Sequence, residues 1–81
     1  MTSKYDHIYE KLDTSWLKDA PNSEIRYEEG ICLTNIQMIV EAVNEQKLEL
    51  NDQQLDVIMT DFIKAAFCAE ELYRRLEKIA P

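Results

Sequence analysis

Glycine and proline, the residues on which tight chain reversals depend, stand at only three positions in this chain: Pro21, Gly30 and Pro81. A sheet needs repeated reversals, and two-residue hairpins rely on Gly or on Asn-Gly and Asp-Gly pairs, none of which occurs here. The apolar residues must therefore be buried by helices. The β-branched stretch from Ile31 to Val40 has some strand character, but no second strand candidate or turn signal accompanies it, so it would have nothing to pair with. With 81 residues, the chain makes a single helical domain, 1-81.

Three helices are expected. The first spans about 3-18, where Tyr5, Ile8, Tyr9, Leu12 and Trp16 recur at spacings of three and four. Pro21 ends it, because the residue before a proline is pushed out of the α region, and Asn22 or Ser23 is placed to cap the next helix. That second helix spans about 24-46 and is apolar on more than one side: Ile25, Cys32, Leu33, Ile36, Ile39, Val40 and Val43 form one set, Ile31 and Met38 another. Asn51-Asp52-Gln53-Gln54 reads as a capping box opening the third helix, about 52-79. There a nearly unbroken heptad puts Leu55, Phe62, Ala69 and Leu76 at one core position and Ile58, Ala65, Leu72 and Ile79 at the other.

An antiparallel hairpin turning near Glu49 and Leu50 brings Gly30 opposite Ala69, Cys32 level with Phe67 and Cys68, and Tyr27 level with Leu72 and Tyr73. Gly30 then has a structural reason, close approach of the two helices, to offset its propensity cost of roughly 1 kcal/mol. Ile63 and Phe67 fall off the main stripe of the third helix, and Ile31 and Met38 off that of the second. The first helix is too short to cover both rods, so these four residues are expected to form an interface between two copies. The expected fold is all-α: a short N-terminal helix plus a long antiparallel helical hairpin, with a dimeric four-helix-bundle-like core; a monomeric three-helix bundle is the alternative.

Charge narrows the partners. Sixteen Asp and Glu against nine Lys and Arg leave a net charge of −7, the wrong sign for nucleic acid or an anionic bilayer. No apolar run exceeds about five residues, whereas spanning a membrane takes roughly 20. Two cysteines are too few for a secreted disulfide framework, and the first 19 residues lack the apolar core of a signal peptide, which points to a cytoplasmic protein. Glu41, Glu45, Glu49, Asp52, Asp56 and Asp61 surround the hairpin turn with Lys47 alone to balance them. Glu41 and Glu45 lie near a helix C-terminus, where the dipole disfavours them.

Catalytic signals are missing: there is no phosphate-binding loop, dinucleotide fingerprint, metal-ligand spacing or nucleophile triad. His7 and Glu10 share a face of the first helix without enough companions to hold a metal. Glu28, Glu29, Glu70 and Glu71 come to one level of the hairpin, but di-iron sites of that kind need histidines these helices lack. Cys32 and Cys68 read as buried free thiols. The chain is therefore expected to be a non-enzymatic protein-interaction module without cofactor, in the manner of an adaptor, chaperone, immunity-type inhibitor or regulator. Its partner surface is expected at the acidic tip (Glu41, Glu45, Glu49, Asp52, Asp56), which suits a basic partner, or at Tyr27 and Tyr73. The rival reading is a metal- or ligand-binding bundle that uses the clustered carboxylates or the two thiols.

Overall fold

In the computed structural model, which describes residues 5–46 and 48–79, two long helices form an antiparallel hairpin and a short N-terminal segment packs along one flank of it. The elements are α1 (Asp6–Lys11), a 3₁₀ turn (Ser15–Lys18), α2 (Asn22–Gln46) and α3 (Asp52–Ile79). No strand occurs among the described residues, and Ile31 to Val40 lies wholly inside α2.

The continuous first helix expected over 3-18 is instead two short pieces. Asp13 is the cause. Its carboxylate accepts the Ser15 backbone N–H at 3.0 Å and the Ser15 hydroxyl at 2.7 Å, an Asx-type turn that competes with the helical hydrogen bonds. Leu12 is already extended, at φ −78° and ψ 117°, and the chain re-enters helical geometry only at Ser15. The expected start at Ser3 lies outside the described residues.

α2 begins at Asn22 rather than near Glu24. Pro21, whose ring presets a helical φ, supplies the first carbonyl, accepting from Glu24 at 3.0 Å and Ile25 at 3.2 Å. Asn22 does not cap the helix with its side chain; its Oδ1 accepts instead from the Arg75 guanidinium at 2.6 Å. At the start of α3 the capping box closes reciprocally: Gln54 N–H donates to Asn51 Oδ1 at 2.8 Å, and Asn51 N–H donates to Gln54 Oε1 at 3.0 Å.

The core is small. Ile25 and Cys68, fully enclosed, meet Leu17 and Ala20 from the N-terminal segment, with Trp16, Phe67 and Leu72 around them. Cys32, Ile36, Ile58 and Ala65 continue the buried seam between α2 and α3, and Ile8 and Ile63 are buried as well.

The N-terminal segment reverses two expectations. Tyr9 stands edge-on to Phe67 with ring centroids 6.2 Å apart, and His7 Nε2 lies 2.9 Å from Asp56 Oδ2, so α1 lies on the very side of α3 that carries Ile63 and Phe67. Those two residues are covered within one chain and do not form an open interface with Ile31 and Met38. Conversely, Leu55, Phe62, Ala69 and Leu76, assigned by the heptad to the core, are all exposed. Gly30 is also exposed: a methyl group added there would meet nothing within 4 Å, so it does not serve close approach to Ala69.

Candidate functional site

Helical position and ion pairing divide the hairpin into two flanks. On one, Lys64 Nζ donates to Glu28 Oε2 at 3.0 Å, and Trp16 lies beside Glu24, Glu28 and Lys64. The N-terminal segment occupies this flank. On the other, Leu33 and Val40 of α2 run beside Leu55, Phe62, Ala69 and Leu76 of α3, and all six are exposed. The back of α2, away from α3, carries a third set. Tyr27, Ile31, Thr34, Met38, Glu41 and Glu45 follow one another at spacings of four and three, the pitch of a single helical face, and every one of them is exposed.

This back face is apolar in its first half and acidic in its second. Tyr27 is 68% and Met38 62% exposed, and with Ile31 they share one helix face rather than lying scattered singly. Where Gly30 offers no side chain, a shallow depression of about 500 Å³ opens among Arg26, Tyr27, Ile31, Thr34 and Asn35. The site thus combines a shallow open depression, an apolar ridge and two carboxylates in line.

The other expected tip acids lie in the connection and on α3. Glu49 and Asp52 are exposed. Asp56 is not a free tip acid, because His7 engages it and it helps to hold α1 in place. Lys47, expected to balance the acids, lies outside the described residues. Tyr27 and Tyr73 are both exposed but do not form one patch: Tyr27 belongs to the back of α2, Tyr73 to the face of α3 that continues Leu55, Phe62 and Leu76.

Three of the four carboxylates expected at one level of the hairpin are drawn to cations. Glu28 pairs with Lys64, Glu70 with Arg74, and Glu71 lies 3.6 Å from Arg75 and 4.0 Å from Arg74. Hydrogen bonding to Glu28 holds the Lys64 ammonium above its ordinary range. Among the described residues no three His, Cys, Asp or Glu side chains converge in a way that could hold a metal ion. Cys32 and Cys68 are both buried and form no disulfide. Burial pushes both thiols up, with the nearby Asp61 carboxylate adding to the effect at Cys32 and Glu29 at Cys68. That is the opposite of the depression which makes a thiolate nucleophile.

Arg75 reads in the sequence only as half of an i,i+4 pair. Its guanidinium joins three elements: besides the bond to Asn22, it donates to the Leu17 carbonyl at 2.7 Å. A sequence carries no signal for this link, since the partners are remote along the chain. No known protein family matches the chain, and no curated protein or solved structure does so either.

Proposed function

We propose that this chain is a small acidic protein-interaction module, self-associating and without catalytic chemistry of its own, and that the back face of α2 receives the partner. One observation carries the reading: the exposed line Tyr27, Ile31, Thr34, Met38, Glu41, Glu45, apolar and then acidic along one helix face, with the Gly30 notch beside it. A matching partner is an amphipathic segment whose apolar side chains lie on Tyr27, Ile31 and Met38 while its Lys or Arg residues meet Glu41 and Glu45. Large apolar and aromatic anchors supply the affinity of such contacts. The carboxylates, with a net charge of −7 behind them, speed encounter and select against acidic competitors.

The reading is consistent with a regulator, inhibitor or chaperone that covers a basic surface of another protein. Quantitative affinity capture from the native host tests it, comparing wild-type chain with Ile31→Glu and with the Glu41→Lys, Glu45→Lys double variant. The expected result is one protein retained by wild type, lost with Ile31→Glu, and lost or made salt-insensitive with the double variant. Identical capture by all three baits sinks the proposal.

A further inference from the structure

The chain leaves more surface open than a compact monomer of its size. A folded protein of 9.5 kDa is expected to expose about 5,000 Å², and this one exposes 6426 Å². Its radius of gyration is 14.8 Å, against about 12 Å for a compact chain of this length. The excess, roughly 1,400 Å², exceeds the approximately 800 Å² that each partner buries in an interface of standard size.

The heptad points to one apolar flank within that open surface. Leu55, Phe62, Ala69 and Leu76 repeat every seven residues, as helix positions facing another helix do, yet α2 covers the neighbouring positions Ile58, Ala65 and Cys68 instead. Leu33 and Val40 continue the same open flank on α2. From the apolar seam and the surplus area we infer that this flank is a homodimer interface, covered by the same flank of a second copy so that two hairpins make a four-helix core. Self-association, which forms part of the proposed function, thereby gains a surface of its own, distinct from the partner face at the back of α2.

Two features favour a second copy over a different partner. A two-fold interface sets a patch against itself, so its large and small residues must be related by the axis. An axis crossing α3 at the level of Ala65 and Ala66 sets Phe62 of each copy opposite Ala69 of the other, and Leu55 opposite Leu76: a bulky ring meets a methyl, and the outer leucines meet each other. This arrangement runs the two copies antiparallel, so that the acidic turns, with Glu41, Glu45, Glu49 and Asp52, stand at opposite ends. Arg26, exposed near the far end of α2, is then brought toward the acidic end of the other copy.

Light scattering on a sizing column and sedimentation equilibrium test the inference on the full chain. Wild type is expected at twice the mass of 9.5 kDa at micromolar concentration. Phe62→Glu and Leu33→Lys should each raise the dimer dissociation constant at least tenfold, because an unpaired charge is disfavoured inside such a seam. Both should keep the helical circular dichroism, since Phe62 is 44% and Leu33 50% exposed in the single chain. Met38→Glu, on the back of α2, should remain a dimer; if Phe62→Glu unfolds, Leu33→Lys alone decides. A monomeric wild type, seam variants that dimerise as wild type does, or a Met38→Glu monomer overturns the inference. None of these results depends on partner capture, so the two proposals fail separately.

Discussion

Arg75 and Leu17 stand 58 positions apart in the chain, yet the Arg75 guanidinium donates to the Leu17 carbonyl at 2.7 Å while a second N–H reaches Asn22 Oδ1 at 2.6 Å. One side chain near the end of α3 thus ties down the carbonyl of a 3₁₀ turn and the first residue of α2, and Glu71 holds it from behind. Charged hydrogen bonds of this sort each contribute about 1.5–3 kcal/mol when intact. Arg75→Ala is expected to lower unfolding free energy by roughly 2 kcal/mol by that measure. Arg75→Lys should recover only part of it, because an ammonium cannot span both acceptors in the fork geometry of a guanidinium. Urea titrations followed by circular dichroism read both; a neutral Arg75→Ala would mean the bonds are replaced by water at no loss.

Gly30 lies in the interior of a 25-residue helix, where an alanine is favoured by about 1 kcal/mol. Nothing lies within 4 Å of the methyl it would add. Gly30→Ala should therefore stabilise the fold by roughly 0.5–1 kcal/mol while shrinking the notch on the back of α2 and weakening partner capture. A destabilised Gly30→Ala protein would show that some part of the chain already fills that space.

The capping box gives a second local test. Asn51→Ala leaves the Gln54 N–H without its acceptor and is expected to cost about 1 kcal/mol. Asn51→Asp or Asn51→Ser should retain most of the stability, since each keeps an oxygen in place. Equal losses for all three would show that the amide group is needed for something other than its oxygen.

Cys32 and Cys68 carry thiols raised above the ordinary value of 9.0. The native state then keeps these protons to higher pH than the unfolded chain, and binding more protons when folded makes stability fall as pH rises. Their contribution is complete below about pH 9, where the unfolded thiols are still protonated, and declines above it. Lys64, raised from 10.5 by Glu28, adds a loss of the same sign at still higher pH. The urea midpoint is expected to hold level up to about pH 9 and then drop. Below that pH, iodoacetamide should modify the native protein far more slowly than the urea-unfolded chain, and equal rates would contradict the burial of both thiols.

Sequence alone determined the all-helical class, the antiparallel hairpin and the ends of α2 and α3 to within two residues, because those features rest on local causes. The scarcity of glycine and proline excludes sheet; Asn51 and Gln54 are three residues apart and cap each other wherever the helix goes. Tertiary structure decided which apolar stripe is buried. α3 offers apolar residues on most of its circumference, and its periodicity cannot say whether α2 takes Leu55 and Phe62 or Ile58 and Ala65, nor that the N-terminal segment covers Ile63 and Phe67. That choice depends on three elements competing for one helix surface. The N-terminal segment could take its place only because Asp13 and Ser15 break its helix in two, and because His7, Tyr9 and Leu17 find Asp56, Phe67 and Arg75 across the fold. Gly30 shows the same division from the other side: its propensity cost is a property of the residue, whereas the open space beside it exists only once α2 has turned its other face to α3.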